Sequence, residues 1–255
     1  MMKAAPEAFS RLELLVGSDG LARLRQARVL LCGAGGVGSW AAEALIRGAV
    51  GHLTIVDYDT VKASNLNRQL EALHSTLGRS KAECLRERLL DIAPQAEIQA
   101  LNQRLTPTNC LELLLSQTWN YVIDAIDERA AKLALLKTCV EERIPVISSM
   151  GSGNKLNAGQ IQVADLFQTS GCPLAKLLRK NLKKMGLSGG IQVVFSSELP
   201  VLLSNGSFIG QIAEEEGDKR PLGSISYMPA LFGLHCASYV LEELLDARAY
   251  QRKGD

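Results

Sequence analysis

Gly33, Gly35, Gly36 and Gly38 stand in a G-x-G-x-x-G run, a spacing that suits a bound phosphate. Glycines there permit a tight turn and let backbone N–H groups approach phosphate oxygens at the start of a helix, whose dipole favours an anion. Asp57 follows about 20 residues on, where a carboxylate can take ribose hydroxyls. On the glycines and this acid alone, a dinucleotide dehydrogenase is the default reading. The residues that come next change it. Asp59, the run Ser64-Asn65-Leu66-Asn67-Arg68-Gln69 and Arg79-Ser80-Lys81 gather amides and cations for which hydride transfer has no use. A triphosphate has, because arginine grips phosphate oxygens with a planar fork and lysine supplies a point charge. Asp124-Ala-Ile-Asp127 adds two carboxylates, and a carboxylate beside a nucleotide can hold Mg²⁺ through one or two oxygens. Asp127, beyond the end of its strand, is the better placed for the ion. Asp124 has a second reading, as a hydrogen-bond acceptor for a neighbouring loop.

These residues require elements to hold them, and the hydrophobic pattern supplies those elements. Arg28–Cys32, His52–Asp57, Glu97–Leu101, Tyr121–Ala125 and Pro145–Ser149 are short runs rich in Val and Ile and read as strands. Between them, Ser39–Gly48, Ser80–Ile92, Thr108–Ser116 and Arg129–Arg143 read as helices. The alternation predicts an α/β fold of the Rossmann-like kind, a mostly parallel sheet with right-handed crossovers and flanking helices. After Gly151 the rhythm changes. Gln160–Asp165 and Gln192–Ser196 read as strands, expected to extend the sheet in antiparallel fashion. Pro173–Met185 reads as an amphipathic helix, Ser204–Arg220 as a loop or hairpin, Pro229–Ala247 as a closing helix and Arg248–Asp255 as a frayed tail. The expectation is a single domain over 1–255. Its nucleotide half spans about 22–150 and its substrate and dimer half about 151–255.

The chain has 255 residues, 47% of them hydrophobic, enough for a large buried core. With 28 Lys and Arg against 27 Asp and Glu, it does not grip nucleic acid over its whole surface, although a local basic patch remains open. Its six cysteines form no C-x-x-C pair and no disulfide framework. The start MMKAAPEAFSRLE has no apolar core, and these features together predict a reducing, cytoplasmic setting. No run of about 20 apolar residues predicts a membrane span. Cys32 is expected to be buried. Cys172, in Ser170-Gly-Cys-Pro173, reads either as an acyl acceptor before a helix or as a small apolar residue. His52, His74 and His235 share no metal-ligand spacing.

Taken together, GAGGVGS at Gly33–Ser39, Arg47-Gly48-Ala-Val-Gly51, DYDTVKASNLNRQ at Asp57–Gln69, Lys81 and DAID at Asp124–Asp127 resemble the ubiquitin-activating-enzyme-like adenylating superfamily. The resemblance implies adenylation of a carboxylate with ATP and Mg²⁺. It implies that Asp57 binds the ribose, that Asn65, Arg68 and Lys81 contact the phosphates, and that Asp127 holds Mg²⁺ through ATP. Arg11, in SRLELLVG, matches an arginine that reaches the phosphates of a neighbouring subunit, which implies a homodimer.

Within that superfamily the sulfur-carrier activators generally carry two C-x-x-C pairs, and none exists here. SSMGSG at Ser148–Gly153, QIQVADL from Gln160, PLAKLLR from Pro173 and VVFSSE from Val194 resemble instead the tRNA threonylcarbamoyladenosine dehydratases. That resemblance implies an ATP-dependent dehydration of a modified tRNA adenosine, with a sulfur-transfer protein as a further partner. Some of those dehydratases have a cysteine in the loop before the last helix; here Arg220-Pro-Leu-Gly-Ser-Ile-Ser226 has none. Lys176, Arg179, Lys180, Lys183 and Lys184 lie opposite Leu174, Leu177, Leu178 and Leu182 on one helix. They read as a solvated face or as a contact for the tRNA anticodon stem-loop. The competing readings are adenylation of the C-terminal carboxylate of a small sulfur-carrier protein, a nicotinamide dehydrogenase and a non-catalytic nucleotide sensor.

Overall fold

A computed structural model describes residues 8–201 and 222–246. The loop expected over Ser204–Arg220 and the tail expected over Arg248–Asp255 lie outside the described residues. The strands are β1 (Arg28–Cys32), β2 (His52–Val56), β3 (Glu97–Leu101), β4 (Tyr121–Asp124), β5 (Val146–Ser149), β6 (Ile161–Asp165) and β7 (Gln192–Ser196). The helices are α1 (Ser10–Gln26), α2 (Gly38–Arg47), α3 (Lys81–Ile92), α4 (Cys110–Leu115), α5 (Arg129–Glu141), α6 (Pro173–Lys184) and α7 (Tyr227–Leu245).

The seven strands of the described residues join one sheet in the order β3-β2-β1-β4-β5-β7-β6. The α/β reading holds, with one refinement. β7 pairs parallel with β5, so β6 alone runs against the rest. The central strands are mostly apolar and buried nearly end to end because both faces are covered. In β1, Val29 and Leu31 enter a core shared with α2, α3 and α7, while Leu30 and Cys32 enter a second core under α4, α5 and α6.

Two helices differ from expectation for physical reasons. Nothing before Arg28 announces α1, whose pattern is broken by Gly17 at φ 72° and by Leu14 and Leu15, which face outward. α7 begins two residues before Pro229, because the first helical turn needs no N–H from that position. Side by side and in the same direction, α2 and α7 pack closely: a side chain on Gly233 would come within 2.3 Å of the Val37 carbonyl oxygen, and Gly48 lies against Leu241. Among the described residues no helix is long and apolar enough to cross a membrane.

Candidate active site

β1 lies between β2 and β4, so the chain leaves the sheet centre in opposite directions on its two sides. The carboxyl ends of the strands at such a switch point leave a crevice. Here the crevice is walled by the glycine turn, Asp57, Asp59, Arg68, Lys81 and Asp127.

The turn is built by close backbone approaches. Gly33 sits at φ 95°, and a Cβ on it would lie 2.7 Å from the Ala125 carbonyl oxygen. A Cβ on Gly38 would lie 1.8 Å from the Gly33 oxygen. A Cβ on Gly36 would lie 3.1 Å from the Pro229 Cβ of α7 and 3.3 Å from Cγ of the Arg68 stem. Gly35 has only the Gln69 amide nearby and leaves the turn open to the crevice. Asp57 receives the Ala34 N–H on one carboxylate oxygen and the Asp59 N–H on the other, each at 2.7 Å. Burial raises its carboxyl above the ordinary range, an effect offset in part by those two N–H groups and then by Lys81.

Lys81, the first residue of α3, is 6% exposed, and its Nζ lies 2.9 Å from Asp59 Oδ2. The half-exposed Asp59 therefore holds the ammonium at the cleft wall. The Arg68 guanidinium donates to Ser64 O and Asn67 Oδ1, both at 2.8 Å, while its carbonyl accepts from the Trp40 indole at 3.2 Å. Trp40 thus ties the arginine to α2.

Three expected site residues stand elsewhere. Asn65 is buried in its own turn, where its Oδ1 accepts the Lys62 N–H and its carbonyl accepts the N–H groups of Arg68 and Gln69. It shapes the turn that presents Arg68 and does not wall the crevice. Asp124 is a correction. It is fully buried, 2.8 Å from the equally buried Lys132 ammonium, and also receives the Ser148 hydroxyl and the Ile126 N–H. Both its oxygens accept from groups of the protein interior, and it does not wall the crevice. Arg11 is exposed on α1 and absent from the walls of its own crevice. α1 ends at the opposite edge of the sheet, where the Arg25 carbonyl packs on Gly51.

Asp127 is exposed at the crevice, whereas the carboxylate of the neighbouring Glu128 caps α5 by accepting from Ala130 and Ala131. The sequence reading missed Gln103, Arg104 and Leu105, which follow β3 and enter the crevice beside Tyr58. The Arg104 guanidinium carbon sits 5.3 Å from the centroid of the Tyr58 ring. Only the sheet order could have revealed them, since β3 neighbours β2.

All six cysteines are free and buried. Cys172 precedes α6, is 4% exposed and does not wall the crevice, so the acyl-acceptor reading finds no support. Burial pushes the thiol of Cys32 well up. On α6, Lys176, Lys180, Lys183 and Lys184 are exposed. Arg179 departs from that set: it donates to Leu166 O and Thr169 Oγ1 and so secures the segment after β6.

With the geometry in view, the chain matches the ThiF family over residues 9–253. It is 39% identical over 251 residues to a tRNA threonylcarbamoyladenosine dehydratase of Bacillus subtilis, covering 97% of this chain and 98% of that one. A crystal structure of the E. coli tRNA N6-threonylcarbamoyladenosine dehydratase TcdA in complex with ATP superposes with a TM-score of 0.85 at 34% identity, covering 96% of this chain and 97% of that one. An adenylyltransferase and sulfurtransferase, MOCS3 of Culex quinquefasciatus, is 36% identical over 148 residues, but that covers only 58% of this chain and 33% of the relative. Family match, sheet order and crevice agree, and the chain belongs to the ThiF family.

Proposed function

We propose that the chain is an ATP-dependent dehydratase of N6-threonylcarbamoyladenosine in tRNA, acting through a carboxyl adenylate. The observation that carries this reading is the convergence of Asp57, Arg68, Lys81 and Asp127 around the glycine turn in one crevice. The turn suits a phosphate because it closes tightly at the start of α2, with no room for a Cβ at Gly33 or Gly38 against the Ala125 and Gly33 carbonyl oxygens. Asp57 retains free lone pairs for ribose hydroxyls. Tyr58, Arg104 and Leu105 flank the base, and Arg68 and Lys81 meet the phosphates.

The threonyl carboxylate attacks the α-phosphorus of ATP and expels pyrophosphate. The carbamoyl group of the same nucleoside then attacks the activated carbonyl, closes a ring and expels AMP. The oxygen lost as water leaves on AMP. Nucleophile and electrophile share one molecule, so no enzyme nucleophile is required, in keeping with buried thiols. Among the described residues no cluster of three or more His, Cys, Asp or Glu could hold a metal by itself. Asp127 would hold Mg²⁺ together with ATP oxygens, the mode usual for this ion. When bound, Mg²⁺ offsets phosphate charge. The reading extends to a homodimer in which Arg11, absent from the walls of its own crevice, serves the neighbouring subunit.

Mass spectrometry of nucleosides after incubation with ATP, Mg²⁺ and tRNA tests the function. Modified tRNA should lose one water per threonylcarbamoyl group. AMP release only upon addition of a small protein would refute this reading in favour of sulfur-carrier activation.

The exposed lysines of α6 form the proposed contact for the anticodon stem-loop. Replacing Lys180, Lys183 and Lys184 by alanine should weaken stem-loop binding about tenfold or more. The salt slope should shrink by about 1 for each lost phosphate contact. ATP affinity should stay unchanged. Unaltered stem-loop affinity at low salt would remove α6 from the interface.

A further inference from the structure

Glu71 lies just after the turn that presents Arg68 and Gln69, and it is 2% exposed. Neither of its carboxylate oxygens has a hydrogen-bond partner. Leaving a buried carboxylate ionised and unpaired is costly. Its surroundings explain where it acts. Ser39 of α2, Lys81 and Cys84 of α3 and Asp57 after β2 face it. The Ser39 hydroxyl and the residue's own amide approach it without completing hydrogen-bond geometry. Cys84 is a buried thiol that burial keeps neutral. The charged groups that decide the local balance are therefore Lys81, Asp57 and, through its contact with Lys81, Asp59.

One ammonium thus stands among three carboxyl groups, Asp57 and Asp59 lying with it in the wall where a polyanion must dock and the buried Glu71 outside that wall. Were all three ionised, they would outnumber the Lys81 ammonium before any phosphate arrived. Asp57 is held by two backbone N–H groups and Asp59 by Lys81 itself, so each has compensation. Glu71 has no completed hydrogen bond, and Lys81 offsets its burial only in part, so it is the group on which a proton costs least.

We propose that Glu71 is a positioning residue that works uncharged, leaving the Lys81 ammonium free to exchange Asp59 for the triphosphate. This rests on the nucleotide reading above. Ionised, Glu71 would compete for Lys81 and repel the phosphates. Burial, the largest influence, pushes its carboxyl up to about 8, with Lys81 pulling it back in part.

Two measurements on the parent protein and Glu71→Gln test this, the glutamine being a permanently neutral isostere. The first is ATP affinity by calorimetry with Mg²⁺ between about pH 7 and 9.5. The parent should lose affinity above pH about 8, at most about tenfold per pH unit, while E71Q should show no such fall. The second is thermal unfolding without nucleotide. In the folded state the proton is held up to about pH 8, whereas an unfolded glutamate loses it near its ordinary 4.5. The unfolded parent binds fewer protons across that window, so raising the pH destabilises it. The Tm advantage of E71Q should widen from about pH 5 to about pH 8 and then level off.

Parallel ATP profiles, with binding intact, would overturn the proposal, as would a Tm difference that ignores pH. Absence of ATP binding by the parent at neutral pH would instead sink the nucleotide reading on which it rests.

Discussion

Lys132→Met is expected to cost about 3–5 kcal/mol of stability, a large share of the roughly 5–15 kcal/mol that a domain possesses. Lys132 and Asp124 are both fully buried, with Nζ and Oδ2 2.8 Å apart. The ammonium also donates to the Ile126 carbonyl at 3.0 Å, and the carboxylate receives the Ser148 hydroxyl at 2.7 Å. Methionine keeps the length of the side chain and removes the charge, so the carboxylate is left buried without its counter-ion. The penalty is that of the orphaned Asp124, not the net worth of the pair. Asp124→Leu combined with Lys132→Met should therefore recover part of the loss, because apolar replacement of a buried pair is often close to neutral. Urea unfolding reads both variants, and the midpoint should move with an unchanged slope. A loss below about 1 kcal/mol for Lys132→Met would mean that the pair is not the clamp described. The clamp has a functional side as well, since the loop it fastens carries Asp127.

Asp127→Asn should behave in the opposite way. Its side chain is exposed, so stability should change by no more than about 0.5 kcal/mol. Adenylation, read as AMP formation from ATP with modified tRNA, should fall about 100- to 1,000-fold, the loss typical of removing one preorganised electrostatic group. Asparagine preserves shape and removes the negative charge that would hold Mg²⁺ against ATP. Glu128 cannot substitute, because its carboxylate caps α5. Full AMP release by Asp127→Asn would end the metal assignment.

Those two acids also show what the sequence makes legible. In Asp124-Ala-Ile-Asp127 the residue types announce a carboxylate site, but not which carboxylate reaches solvent. The answer lies in Lys132, which in sequence looks like any lysine of an amphipathic helix and in the fold points inward. Strands such as Arg28–Cys32 and His52–Val56 are readable because burial on both faces demands a mostly apolar run with no helical period. α1 is not, since Gly17 interrupts it and Leu14 and Leu15 face outward. The nucleotide motif identifies Arg68 and Lys81 by type and spacing. It does not reveal that Asn65 is spent on its own turn, nor that Arg179 is spent on Thr169 and Leu166. Gln103, Arg104 and Leu105 carry no motif at all. They enter the crevice because β3 pairs with β2, a fact of topology that local pattern does not encode.

The contact between Gly36 and Pro229 has a consequence for the order in which the protein becomes competent. During synthesis the glycine turn follows β1 directly and precedes the other strands of the sheet, β2 to β7. The outer wall of that turn arrives only with α7. A nascent chain that has made the whole sheet still presents an unfinished nucleotide crevice, open on the side that α7 closes. ATP, which can stabilise only what it binds, is then of no help to the unfinished chain. Chains truncated before α7 should therefore gain less protection from proteases by nucleotide than the full chain does.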